Sequence, residues 1–298
     1  MILVTGCTGY LGFHICEYLN DNKIPFFGID NLSRSSKYNI FDKNKFLKID
    51  ISSKKIPKIL AKKKIHSVIH AAAYSFPPES EDNKKIYYKN NILKTKIFIN
   101  YCSNHKIEKF IFFSSSNVYK FNFRKISAVK ENQKLKPSNY YGKTKLIIEK
   151  YLKKKKYNNY SILRLSKTYG DQIDDNTLFS NILKTYLNGV KKFEIAHDQY
   201  FRPLYINDLI KIIDCFLKNR IVGVFNVCGD QYLSRYNLIK KMFETLKIKD
   251  VIINKCSLSK FNKKVSFPKK LNLSNNKIKN KIGIKFTNFE KILKRINV

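Results

Sequence analysis

Residues 1–12, Met1-Ile2-Leu3-Val4-Thr5-Gly6-Cys7-Thr8-Gly9-Tyr10-Leu11-Gly12, restrict the fold more than any other stretch of the chain. An apolar run suited to a buried strand ends at Thr5, glycines follow at 6, 9 and 12, and a helical pattern begins at once. In such a turn the first glycine permits a tight reversal and the second lets the backbone approach a pyrophosphate. The third lets helix and strand pack closely. The helix start then presents free N–H groups and the positive end of its dipole to an anion. Asp30 closes the next apolar run, Pro25-Phe26-Phe27-Gly28-Ile29, where a carboxylate accepts hydrogen bonds from an adenosine ribose. Residues 1–30 thus predict a strand–helix–strand unit that holds a dinucleotide through Gly6, Gly9, Gly12 and Asp30.

The pattern continues in alternation. A helix is expected over 10–20, a polar loop over 31–44, a strand over 45–49 ending on Asp50, and a lysine-rich helix over 56–63. Further on come a strand over 67–70 that runs into Ala71-Ala72-Ala73, a long helix over 83–104 and a strand over 109–113 that runs into Ser114-Ser115-Ser116. A helix over 140–156 and a strand over 160–165 follow. Strands alternating with helices imply an α/β fold, a doubly wound parallel sheet of Rossmann type, with function at the C-terminal ends of its strands. Beyond Gly170 the pattern loosens into helices near 178–188, 208–217 and 238–246 and a strand near 224–227. The division expected is a dinucleotide-binding domain over 1–170 and a smaller, interleaved α/β substrate region over 171–298, since no flexible linker separates them.

With 43% hydrophobic residues in 298, the chain can bury one large core. No apolar run approaches the roughly 18 residues of a membrane helix, and the start on a strand shows no basic leader, which predicts a cytoplasmic protein. The formal net charge of +37 comes from lysine far more than arginine, of which there are seven, at 34, 124, 164, 202, 220, 235 and 295. Lysines recur in short runs along the whole length rather than on one element, so nucleic acid is not the expected partner. The excess charge would instead attract small anions such as diphosphates. Six cysteines, at 7, 16, 102, 215, 228 and 256, form no CxxC pair, and the histidines are scattered, so no metal is expected. Reduced, mostly buried thiols are expected, with Cys7 in the glycine turn as an accessible exception.

Tyr141-Gly142-Lys143-Thr144-Lys145 sets a tyrosine and a lysine four apart on one face of a helix start. An ammonium beside a phenol favours the phenolate, so Tyr141 is expected to titrate below its ordinary value and to act as an acid–base group. Ser115, at the end of the preceding strand, supplies a hydroxyl that can hold a substrate oxygen against it.

Taken in order, these stretches resemble the extended short-chain dehydrogenase/reductases that act on nucleotide sugars. The likeness rests on Thr5-Gly6-x-x-Gly9-x-x-Gly12, Asp30, Asp50-Ile51, His70-Ala71-Ala72-Ala73, Asn91 to Thr95, Ser114 to Tyr119 and Tyr141 to Glu149. Arg164, Tyr169-Gly170, Tyr205 to Asp208 and Phe225-Asn226-Val227 continue it. The resemblance implies NAD as cofactor, with Asp30 on the ribose, although Arg34 nearby leaves NADP open. It implies contacts from Tyr10, Leu11, Ala71, Ala72 and Asn91, and Asp50 and Ile51 about the adenine. Tyr141 would move the proton, Lys145 would tune it and bind the nicotinamide ribose, and Ser115 would hold the reacting hydroxyl. The N-terminal half, including Asp30 to Ser33, Pro78 to Ser80 and Tyr87 to Asn91, is most similar to UDP-glucose 4-epimerases. Ser116-Asn117 stands where related dehydratases carry two carboxylates, which disfavours dehydration.

The C-terminal half departs from the epimerases. Lys167 replaces an asparagine near the substrate phosphates, and Phe267 stands in place of a late arginine. Arg202, with Lys167 and Asn176, is left as the candidate clamp for the diphosphate of a nucleotide sugar. The tail over 268–283 is similar to that of sugar-nucleotide ketoreductases. The resemblance therefore implies a C4 epimerase of a UDP-hexose, with an NAD(P)H-dependent 4-ketoreductase of a deoxysugar nucleotide as the alternative and a non-catalytic cofactor-binding regulator as a third reading. A homodimer through the long helices is implied as well.

Overall fold

Four buried residues, Ile2–Thr5, form β1 at the centre of a parallel sheet. A computed structural model describes residues 1–34, 42, 44–119, 128–155, 159–261 and 268–296. β1 is followed by α1 (Tyr10–Asp21), β2 (Phe26–Asp30), β3 (Phe46–Lys48), α2 (Ile56–Lys62) and β4 (Ser67–His70). The long helix is built from α3 (Pro77–Asp82), α4 (Lys84–Tyr87), a π-helical turn over Tyr88–Lys94 and α5 (Thr95–Asn104). Next come β5 (Lys109–Ser115), α6 (Tyr140–Lys154), β6 (Tyr160–Leu165) and the short β7 (Thr168–Tyr169). The remainder comprises α7 (Leu178–Leu187), β8 (Lys192–Ala196), β9 (Tyr200–Phe201), β10 (Leu204–Tyr205), α8 (Ile206–Lys218), β11 (Gly223–Val227), β12 (Leu233–Ser234) and α9 (Arg235–Thr245). β13 (Ile252–Cys256), β14 (Lys270–Leu271), α10 (Asn276–Ile282) and α11 (Phe289–Leu293) complete it.

Among the described residues the main sheet has seven strands in the order β11-β6-β5-β4-β1-β2-β3, paired in parallel throughout. The strand order reverses between β1 and β4, which opens a crevice at their C-terminal ends. β11 lies far along the chain yet pairs with β6 in register Val227↔Leu165, so the chain returns from the smaller region to finish the sheet. Small sheets β12-β9-β14, β10-β7 and β13-β8 lie outside it.

Alternation along each strand feeds two cores, one on either face. Ile2 and Val4 of β1, with Ile69, Ile111 and Phe113, pack with Ile15 and Leu19 of α1 and Leu209 and Ile213 of α8. Leu3, Phe27, Val68, Phe110 and Phe112 point the other way, onto Ile56 and Leu60 of α2, Phe98 of α5 and Ile148 of α6. Burying each of these side chains is worth about 1.5–3 kcal/mol. No helix among the described residues is long and apolar enough to cross a membrane. Cys7 departs from expectation: it is fully buried, and burial raises its thiol pKa, so it is neither accessible nor activated.

Candidate active site

The crevice begins where β1 ends. Gly6 takes φ +66°, and a Cβ there would stand 2.6 Å from the Ala72 nitrogen, so the reversal requires glycine. A Cβ on Gly12 would meet the Gly6 carbonyl oxygen at 2.1 Å, which is the close helix–strand packing expected of the third glycine. Gly9 differs. Among the described residues an added Cβ would meet only that oxygen, at 3.4 Å, and the residue is exposed on the cleft.

A cleft open to solvent lies here. Gly6, Gly9, Asp30, Asp50, Ile51, Ala71 and Ala72 line it, as do Asn31, Ser33, Arg34, Ile49, Ala73, Tyr74, Asn90 and Lys94. The Asp30 carboxylate accepts from the Leu32 amide at 2.8 Å and the Thr8 amide at 3.3 Å, which orients it at the end of β2. Burial tends to raise the Asp50 pKa, but hydrogen bonds from Lys94 (2.6 Å), the Ser52 amide and hydroxyl, and Asn31 hold it down to about 2. Arg34 is ion-paired with Glu79 and lies 4.0 Å over the Tyr74 ring, so its guanidinium already has a carboxylate partner. A glycine turn open to the start of α1, with a fixed carboxylate at the end of β2, fits a dinucleotide whose ribose carries free hydroxyls.

The side chains of other expected cofactor contacts turn away from the cleft. Tyr10 turns its hydroxyl towards Gly170 and Asp175, where it is buried with no hydrogen-bond partner among the described residues, and Leu11 packs on the core. Asn91 is buried behind the cleft wall. Its amide accepts from the Tyr74 nitrogen (2.8 Å) and donates to the Tyr74 carbonyl (2.9 Å) and to Thr144 Oγ1 (3.3 Å). It therefore ties the cleft edge to α6, while Asn90 and Lys94 face the cavity.

Ser115, Tyr141 and Lys145 converge beside the end of β4. Ser115 ends β5, the neighbour of β4, and its hydroxyl accepts from the Asn117 amide (3.2 Å) and side chain (3.0 Å). The Tyr141 phenol lies near Ser115, which lowers its pKa against the effect of burial. The start of α6 is held on three sides. The Asn139 side chain caps the Gly142 amide at 2.8 Å, Ser80 Oγ accepts from the Tyr141 amide at 3.0 Å, and Glu81 accepts from the Tyr140 amide at 2.6 Å. A Cβ on Gly142 would lie 2.3 Å from the Asn117 carbonyl oxygen, so glycine lets α6 settle against the turn that carries Ser115.

The electrostatics correct one expectation. Burial pushes the Tyr141 phenol up, not down, with Ser115 opposing that rise. Lys145 Nζ donates to the Phe113 carbonyl at 2.8 Å and stands 5.8 Å from the Tyr141 ring centroid. Burial lowers the Lys145 pKa to about 7, so its ammonium is only partly charged near neutral pH. His70, below them, is lowered to about 3 by burial and then by Lys145, and its neutral ring bridges Thr5 at 2.8 Å and Thr95 at 3.4 Å.

A buried polar network supports this edge. Arg164 on β6 grips Glu149 on α6 through Nε at 2.9 Å and Nη2 at 2.6 Å, and its Nη1 reaches the Tyr119 hydroxyl at 2.8 Å. Ser114 donates to Glu149 at 2.6 Å, and Tyr119 donates to Asn226 of β11 at 2.6 Å. The motif residues Glu149, Arg164, Tyr119 and Asn226 thus lock α6 onto β5, β6 and β11.

The expected diphosphate residues are dispersed. Arg202 spends Nε on Asn272 at 2.8 Å and an Nη on the Asp230 carbonyl. Asn176 is exposed in the left-handed region, φ +52°, after a 3-10 turn. Lys167 stands 5.7 Å over the Phe201 ring. Phe267 lies outside the described residues. Among the described residues no group of three or more His, Cys, Asp or Glu is placed to hold a metal ion.

Similar proteins agree with this architecture. The chain is 31% identical over 212 residues to a UDP-glucose 4-epimerase of Lactobacillus helveticus, covering 67% of this chain and 64% of that one. Across the first such relatives the match spans 58% to 64% of their length. A Bacillus cereus UDP-glucuronic acid 4-epimerase, solved in complex with UDP-glucuronic acid and NAD, superposes with TM-score 0.85 at 26% identity over 99% of this chain and 97% of that one. A dTDP-4-dehydrorhamnose reductase of Clostridium acetobutylicum shares the fold, with TM-score 0.84 and 23% identity over 99% and 97% of the two chains. The profile of the NAD dependent epimerase/dehydratase family matches residues 2–228, from β1 through the end of β11. The chain belongs to the NAD dependent epimerase/dehydratase family.

Proposed function

We propose that the protein is a nucleotide-sugar epimerase that inverts C4 of a UDP-hexose with a tightly held NAD. The convergence of Ser115, Tyr141 and Lys145 beside the dinucleotide cleft carries this reading. NAD is favoured over NADP because a 2′-phosphate would meet the Asp30 carboxylate while Arg34, the nearby cation, is already paired with Glu79. Bound there, NAD supplies a nicotinamide that accepts and returns a hydride.

The chain's own residues handle the proton and the position of the sugar. Ser115 and Tyr141, side by side at the cleft, would hold the C4 oxygen between them. Tyr141 takes the hydroxyl proton as C4 is oxidised to the ketone and returns it on reduction. Burial raises the phenol pKa, so proton uptake needs positive charge near it. Lys145 is the protein's own source, poised by a pKa of about 7 to gain or shed charge near neutrality. The region over 171–298 would carry the nucleotide and select the sugar.

Protein purified without added cofactor is expected to release NAD on denaturation and to interconvert UDP-glucose and UDP-galactose without reductant. Stoichiometric consumption of NADH or NADPH with a 4-keto deoxysugar nucleotide, and no exchange of UDP-hexoses, would reassign the chain as a ketoreductase.

A homodimer is part of the proposal. Ile86, Leu93 and Ile97 along the long helix and Ile147 on α6, which packs against it, are exposed. Sedimentation velocity is expected to show a dimer that Leu93→Glu with Ile97→Glu converts to monomer. A monomeric natural chain at micromolar concentration would remove this element.

A further inference from the structure

The helix whose tip opens on the cleft also has a flank, and that flank meets the far half of the chain. Tyr10 and His14 stand four apart on α1, so they share a face, and their rings meet edge-on with centroids 5.1 Å apart. The face looks onto the turn by which the chain leaves β7 for α7. Gln172, Asp174 and Asn176 of this turn are exposed, whereas Asp175 points inward with its side chain fully buried. Its partner lies 161 positions earlier: His14 Nε2 donates to Asp175 Oδ1 at 2.7 Å. A carboxylate only accepts, so the proton in this bond is the ring's. Glu17, three residues further along α1, flanks the other ring nitrogen at 3.2 Å.

Gly170 completes the joint. A Cβ on it would stand 1.9 Å from Asp175 Oδ2 and 3.2 Å from the Tyr10 hydroxyl, so the carboxylate is seated where any other residue would put its side chain. The neighbouring acids are served elsewhere, Asp171 by Tyr205 at 2.5 Å and Asp174 by Lys184 at 2.9 Å. Burying a carboxylate is costly unless it is paired, so the His14 bond holds the turn to α1. The same helix receives the cofactor. Gly9 is its N-cap and lines the cleft, where the free N–H groups of the helix start suit a pyrophosphate. An anion seated there restrains the first turns of α1, and those turns bear Tyr10 and His14.

We infer that His14 and Asp175 form a strut through which a bound dinucleotide orders residues 171–178, the entrance to the half of the chain that would carry the sugar nucleotide. His14 is a positioning residue, since it acts through Asp175 and not on the reacting atoms. The inference rests on the reading of NAD in this cleft. It adds a route by which filling the cofactor site readies the substrate side.

Amide hydrogen exchange of residues 171–178, followed by mass spectrometry in protein stripped of NAD and in the same protein reloaded, tests the strut. NAD is expected to slow exchange there by about tenfold, within the usual span of couplings between sites. The double variant His14→Leu/Asp175→Leu removes both polar groups and so avoids a stranded carboxylate. It is expected to bind NAD and to lose the slowing. His14→Gln keeps a donor at the place of Nε2 and should restore most of it. With UDP-glucose as substrate, the double variant should raise KM about tenfold and keep kcat within about threefold of the natural value. Exchange that ignores NAD in the natural chain would overturn the inference, as would an unchanged KM in the double variant. A pair with a merely structural role would speed exchange by the same factor with and without NAD, and that result overturns it too. NAD-dependent slowing that the double variant loses, in protein that converts no UDP-hexose, would uphold the strut and remove the epimerase reading.

Discussion

A Tyr141→Phe protein is expected to interconvert UDP-hexoses about a thousandfold more slowly than the natural chain, within the range a positioned acid–base group contributes. The substitution removes one oxygen and keeps the ring. Tyr141 is anchored by its backbone to Ser80 and flanked by the Asn139 cap, so α6 should stay in place. NAD content and unfolding midpoint are therefore expected to match the natural chain. The comparison separates catalysis from binding, because Asp30 and the glycine turn, which would hold the cofactor, are positioned independently of the phenol. Retention of full activity in cells by Tyr141→Phe would instead favour a cofactor-binding regulator without turnover.

The second large effect concerns stability. Glu149→Ala is expected to lower unfolding free energy by about 3–5 kcal/mol, because it strands the Arg164 guanidinium in the interior. Both partners of that pair are 1% exposed, so solvent screening does not soften the loss. Ser114 and Tyr119 also lose the arrangement that joins β5 and β11 to α6. Urea unfolding of Glu149→Ala and of the double variant Glu149→Leu/Arg164→Leu checks this. The double variant is expected nearer the natural chain, since removing both charges avoids the uncompensated one. A loss below about 1 kcal/mol in Glu149→Ala would contradict the role given to the network.

Much of the fold was legible because its signals are local. β1, the glycine turn and β2 follow from an apolar period and from glycines whose absent Cβ atoms the packing at Gly6 and Gly12 demands. The strands over 67–70 and 160–165 fall where they were expected, since strands buried on both faces read as apolar runs. The long helix was legible as a helix, but its π-helical turn was not: a period of 3.6 carries no mark of the wider turn that sets Asn91 into the Tyr74 backbone. The short strands β7 to β10 and β12 to β14 were missed because several are two residues long and leave no period to read.

The site divided in the same way. Ser115, Tyr141 and Lys145 were named because each sits at a strand end or helix start that the pattern locates. The fall in Tyr141 pKa was expected from the spacing of a lysine alone, and burial, which spacing does not report, reverses it. Glu149, Arg164, Tyr119 and Asn226 were visible as members of motifs, yet their mutual bonds cross from α6 to β6 to β11 and exist only in the folded chain.

The central claim is that this chain inverts C4 of a nucleotide sugar with a cofactor regenerated in each cycle. Its most direct measurement is the incubation of protein, purified without added NAD, with UDP-glucose alone, followed by separation of the sugar nucleotides over time. The expected result is UDP-galactose approaching a fixed ratio with no net change in NADH absorbance. No exchange of UDP-glucose or of any other UDP-hexose by protein that carries NAD would contradict it.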